Sequence, residues 1–173
     1  LESANKIAVI DHHRRGTDYI ERAVLNFHEP YASSTCELIT ELLQYIVETK
    51  DILQCEAEAM LSGIVIDTKK FTMKTGVRTF EAAAYLRRAG ADTTEVKRFF
   101  QTDLDSFKVR AKAIAAAEFM ENGVAVSVCE GCNEEAQVIN SQVADELLTI
   151  KGIKASFVAG RNSRGMTVVS ARS

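Results

Sequence analysis

Cysteine is scarce in this chain. Its four, Cys36, Cys55, Cys129 and Cys132, are too few for a disulfide framework, and a reducing cytosolic setting is the simplest expectation. Cys129 and Cys132 form a C-x-x-C, but neither a second pair nor a histidine stands at zinc-finger spacing, so a structural zinc is not expected. No stretch reaches the ~18 consecutive apolar residues of a transmembrane helix, and no signal peptide opens the chain. Basic residues are not in excess either. With 21 Lys and Arg against 24 Asp and Glu, the net charge is −3. This argues against a coat for duplex nucleic acid and against a membrane-surface protein. No Ser-His or Cys-His pair is placed for covalent catalysis. Proline occurs once, at Pro30, and histidine three times.

Hydrophobic residues make up 46% of the 173, enough to bury a core in one domain or two small ones. Two of the three histidines stand side by side in Lys6–His13, KIAVIDHH. The apolar run Ile7–Ile10 delivers Asp11, His12 and His13 to the carboxyl end of a strand, where α/β folds open a crevice. Imidazole and carboxylate together can ligate a metal, and the same tripeptide can also be a solvated strand end. A second feature is the absence of Asp and Glu from Leu147 to Ser173, where Lys151, Lys154, Arg161, Arg164 and Arg172 all occur. That end is either phosphate-facing or a solvated basic surface.

Along the chain, residues 23–27 suggest a second strand. Cys36, Ile39, Leu42, Leu43 and Ile46 then fall at helical spacing, and Ser34 with Glu37 fits an S-x-x-E capping box. Ser33 and Ser34 at this helix start either cap it or meet an anion. A helix is expected from Gln54 to Asp67, whose carboxylate is a turn residue or a ligand. Residues 80–88 form another, with Gly90 as its stop. Asp92 or Thr93 caps a short helix reaching Phe99 and Phe100. The alanine-rich stretch 103–120 reads as one longer connecting helix. Beyond it a small α+β unit is expected: strands at 124–128, 155–159 and 166–171, a helix at 133–148, and a glycine-bounded turn from Gly160 to Gly165. His28, before Glu29-Pro30, reads as a structural or solvated ring.

Four segments carry a resemblance: VIDHH at 9–13, HEPYASSTCELITELLQ at 28–44, GIVIDTKKFTMKTGVRTFEAAAYLRRAGAD at 63–92 and VVSARS at 168–173. Together they resemble the DHH phosphoesterase family, and within it the GdpP-type cyclic-di-AMP phosphodiesterases. The resemblance implies an α/β fold: the C-terminal part of a parallel-sheet DHH domain (1–103), a connector helix (104–122) and a small α+β DHH-associated domain (123–173). It further implies two Mn²⁺ ions, with His12 and Asp67 as ligands. Asp11 would support His12 from behind, and His13 would lie near a bound phosphate, which makes Asp11 and His13 the catalytic candidates. Ser170, Arg172 and Ser173 would line the substrate cleft with Ser33 and Ser34, Arg172 being the phosphate partner. Oxygen and imidazole donors suit Mn²⁺, and two such ions can drive phosphodiester hydrolysis without a protein nucleophile.

The family's first motif and its metal-bridging aspartate would precede Leu1, and a Gly-Gly-His segment would follow Ser173. Lys70 stands where a polar amide is expected. The chain therefore reads as an internal piece of a larger bacterial hydrolase, inactive by itself. The complete protein is expected to be membrane-anchored through segments outside this chain, with this region cytoplasmic and a homodimer possible. The expected reaction is cleavage of cyclic-di-AMP to a linear dinucleotide. The alternatives are a short-oligoribonucleotide exonuclease or nucleotide phosphatase, and a non-catalytic nucleotide-binding module.

Overall fold

The computed structural model describes residues 4–131 and 135–173. Cys132 lies outside them, and with it the C-x-x-C and the first residues of the helix expected from Asn133. The chain divides into two compact units, Leu1–Gln101 and Thr102–Ser173.

In the first unit, β1 (Ala8–Asp11) pairs in parallel with β2 (Leu25–His28), in a register that sets Asp11 opposite His28. Helices α1 (Thr35–Ile46), α2 (Gln54–Asp67), α3 (Val77–Arg88) and α4 (Thr93–Arg98) follow. Helix α2 has the expected bounds. Ala57, Leu61 and Ile64 recur at helical spacing and are buried against Ala82, Tyr85 and Leu86 of α3. Burying a Leu or Ile here stabilises by about 1.5–3 kcal/mol. Two glycines have specific roles. A Cβ at Gly63 would collide with Sγ of Cys36, so Gly63 lets α1 and α2 approach closely. Gly90 adopts φ +107°, and Ala91 N–H donates to Leu86 O and Gly90 N–H to Arg87 O, closing α3 in a Schellman motif.

The second unit begins with α5 (Leu104–Ala115), then β3 (Glu118–Met120), β4 (Val124–Cys129), α6 (Ala136–Leu147), β5 (Ala155–Arg161) and β6 (Thr167–Arg172). The strands form one mixed sheet in the order β3-β4-β5-β6, with β4 and β5 parallel. Helix α6 turns Ala136, Ile139, Val143, Ala144 and Leu147 onto the sheet and packs there with α5. Buried Ser127 and Ser156 donate to the carbonyls of Ala113 (2.6 Å) and Ala144 (2.7 Å), which satisfies their hydroxyls within the apolar layer.

Two expectations are corrected here. The connecting helix does not run to residue 120: it ends at Ala115, and Glu118–Met120 pair antiparallel with Val124–Val126. Alanine's helix propensity, worth tenths of a kcal/mol per residue (about 0.5), yields to the backbone bonds of the sheet. Gly160 also does not bound a turn. It lies within β5, where a Cβ would come 2.8 Å from Oδ1 of Asn140, and the turn proper is Asn162–Gly165. There Asn162 Oδ1 accepts from Arg164 N and Met166 N, at 3.0 Å each.

Candidate functional site

Strand β1 ends at Asp11, and the chain bends directly after it at His12 and His13. Asp11 closes this bend as an Asx-turn: its Oδ1 accepts from His13 Nδ1 at 2.7 Å and from His13 N at 3.0 Å. These bonds, backbone first, hold the Asp11 carboxyl below the usual carboxylate range. The expected support of His12 by Asp11 is thus corrected, because Asp11 serves His13. His28 is structural, with Nε2 donating to the His13 carbonyl. The His13 ring is 76% exposed and lies 4.3 Å, centroid to centroid, from His12.

His12 points the other way, into the fold, with a side chain only 10% exposed. Its Nε2 lies 3.4 Å from Oδ2 of Asp67, the last residue of α2. His12, just past β1, and Asp67, at the end of α2, 55 positions apart in sequence, are the two expected metal ligands, and the fold brings them together. The separation exceeds a normal N–H···O hydrogen bond of about 2.7–3.2 Å. It is close to the ~3 Å between neighbouring donors of one octahedral ion bound at ~2.1 Å. His12 Nδ1 is buried and lacks a hydrogen-bond partner among the described residues. A nitrogen and a carboxylate oxygen at this spacing fit two corners of a hard divalent ion's shell. No three His, Cys, Asp or Glu side chains gather into a metal cluster among the described residues.

Directly after Asp67 the chain makes a left-handed turn through Lys69, Lys70 and Phe71, at φ +45°, +60° and +62°. Side chains rarely adopt this conformation in succession. Thr68 holds it: its hydroxyl accepts from Phe71 N at 2.9 Å and its carbonyl from Thr72 N and Met73 N.

The serine candidates lie at the start of α1, buried. Ser34 is the N-cap, with Oγ accepting from Glu37 N at 3.0 Å. The capping box is only half formed, because the Glu37 carboxylate accepts instead from the hydroxyls of Ser33 (2.5 Å) and Thr79 (2.6 Å). Glu37 is a functional-looking group the motif reading missed, a buried carboxylate pinning α1 to α3. Ser33 thus donates its hydroxyl within the fold, and Ser34 uses its oxygen as the cap. Beside this pin, Arg78 donates from Nε and Nη2 to the two oxygens of Glu41 at 2.7 Å, which pushes its pKa further up.

In the second unit, Ser170 and Arg172 sit on the β6 face that meets α6, while Ser173 is exposed at the end of β6. Ser170 is buried, with Oγ 3.1 Å from that of Ser141. Arg172 Nε donates to Asp145 Oδ1 at 3.1 Å and Nη1 to the Ala171 carbonyl at 2.9 Å.

The strand-end Asp-His-His lies within an α/β chain whose residues 1–64 match the DHH family, N-terminal domain. All 173 residues align at 47% identity with the cyclic-di-AMP phosphodiesterase GdpP of Geobacillus thermodenitrificans, covering 26% of that protein. Identity is 44% over 173 residues, again 26% of the relative, with the cyclic-di-AMP phosphodiesterase PdeA of Listeria monocytogenes. The chain thus spans about a quarter of the length of these curated relatives. An exopolyphosphatase-related protein from Bacteroides fragilis has the same fold, with a TM-score of 0.80 at 19% identity over 95% of this chain and 49% of that one. Among the described residues no helix is long and apolar enough to cross a membrane.

Proposed function

We propose that the protein containing this chain is a divalent-metal phosphodiesterase that hydrolyses cyclic-di-AMP to a linear dinucleotide, with Mn²⁺ as the metal. The observation that carries this reading is the meeting of His12 and Asp67 at 3.4 Å in a chain aligned along its whole length with cyclic-di-AMP phosphodiesterases. His12 and Asp67 would hold the ion through Nε2 and a carboxylate oxygen. The bound ion supplies positive charge that activates water and stabilises phosphate oxygens.

The chain's own residues do the rest. His12 is fixed by burial, and Asp67 by its place at the end of α2. Asp11 accepts a hydrogen bond from Nδ1–H of His13 and so fixes the tautomer. Nε2 of His13 is left as the atom that can accept a proton from, or donate one to, a phosphate nearby. Arg172 offers its remaining guanidinium N–H groups to a phosphate oxygen, with Ser173 alongside at the end of β6. We further propose that Leu1–Gln101 is part of a DHH domain and that Thr102–Ser173 is part of the DHH-associated domain.

Incubating the full-length protein with cyclic-di-AMP, a short oligoribonucleotide and a nucleotide monophosphate, each with Mn²⁺, tests the reading. A linear dinucleotide formed from the first at the highest kcat/KM is expected. Preference for either other substrate would replace this reading with an exonuclease or a phosphatase.

A further inference from the structure

The Asp145–Arg172 contact belongs to a polar seam whose spacing is set by backbone geometry. Four residues of helix rise about 6.0 Å, and two residues of strand advance about 6.6 Å. Ser141 and Asp145 of α6 therefore stay in step with Ser170 and Arg172 of β6. The hydroxyls of Ser141 and Ser170 meet at 3.1 Å, and Asp145 meets Arg172 at 3.1 Å. One residue before Ser141 on α6, buried Asn140 donates from Nδ2 to the Val168 carbonyl at 3.0 Å, and Gly160 keeps the space its side chain fills. The seam is thus anchored at its buried end and reaches Arg172 at the sheet's edge.

We propose that Asp145 is the positioning residue for Arg172, fixing its guanidinium so that the N–H groups not already bonded present to a substrate phosphate. This rests on the reading of Arg172 as a phosphate contact. Asp145 takes Nε and the strand's own Ala171 carbonyl takes one N–H of Nη1. The long side chain is thereby tied at two points, and its outward N–H groups stay oriented. A free arginine would lose that freedom only on binding substrate, at a cost in affinity. Opposing this, the Asp145 carboxylate offsets positive charge near the phosphate. Both partners are more than one-third exposed (38% for Asp145, 35% for Arg172), so solvent screens that term and the positioning effect wins.

The test is steady-state hydrolysis of cyclic-di-AMP by the full-length protein carrying Asp145→Ala, Asp145→Asn, Arg172→Ala and the double variant D145A/R172A, with a melting curve for each. Expected for both Asp145 variants is a KM raised about fivefold at nearly constant kcat and an unmoved Mn²⁺ activation curve. Asp145→Asn keeps the shape of the seam should Asp145→Ala fold poorly. In the double variant the KM should equal that of Arg172→Ala alone. An unchanged or lowered KM in the Asp145 variants overturns the proposal, as does an Asp145 effect that persists in full without Arg172. If Arg172→Ala is itself silent, the phosphate-contact reading fails first and takes the positioning role with it.

Discussion

Asp11 and Cys36 show how neighbours one or two residues away, or one helix away, set a side chain's chemistry. Asp11 is drawn to His13 because the chain bends just past β1 and returns the His13 ring and N–H to its carboxylate, and the motif's letters alone do not reveal this. Cys36 faces the close approach of α1 and α2. Burial, assisted by the negative charge of Asp67, pushes its thiol above the ordinary value of 9.0. The folded state therefore holds that proton more tightly than the unfolded chain does. Its stabilising effect is full below pH 9.0, the unfolded value, and is lost as pH rises through the higher folded value. We expect iodoacetamide at pH 8 to label exposed Cys55 well before Cys36, measured by peptide mass mapping. Equal labelling would contradict the half-buried environment assigned to Cys36.

At the scale of elements, two contacts fasten the first unit's helices. Replacing Gly63 by Ala puts a methyl group where Cys36 Sγ stands, and overpacking of this kind costs about 1–3 kcal/mol against a propensity gain of about 1. Gly63→Ala should therefore lower the urea midpoint, and a double variant with Cys36→Ala should recover most of the loss. Glu37→Ala leaves the buried hydroxyls of Ser33 and Thr79 without their acceptor, and should cost about 2 kcal/mol or more in the same experiment. Glu37→Gln, which keeps an acceptor, should cost less. Helix α2 and its end at Asp67 were legible because the apolar period is unbroken from Ala57 to Ile64, and the stop of α3 because only glycine suits its position. Strand β3 was not legible: no breaker separates Ala115 from Met120, and pairing with β4 is a tertiary fact. Neither Glu37's bond to Thr79, 42 positions on, nor Asp145's to Arg172, 27 positions on, has a local signature. The meeting of His12 with Asp67 was expected only through the family resemblance, because periodicity places each residue at the end of an element and cannot pair those ends.

For the whole molecule, the proposed function stands on His12, just past β1, and Asp67, at the end of α2, as the proposed metal ligands. They would be two donors of the about six that a hard divalent ion takes. The 173-residue chain by itself should accordingly bind Mn²⁺ more weakly than the full-length protein and show no measurable cleavage of cyclic-di-AMP. Titration calorimetry with product analysis checks both. The most direct measurement is Mn²⁺ affinity of the full-length protein by calorimetry for wild type, His12→Ala and Asp67→Ala, with melting curves to confirm folding. Neither substitution removes much apolar packing, so each variant should melt near wild type, bind Mn²⁺ at least about tenfold more weakly and lose cleavage. A folded His12→Ala or Asp67→Ala protein that binds Mn²⁺ and turns over cyclic-di-AMP like wild type would contradict the assignment of that residue as a ligand.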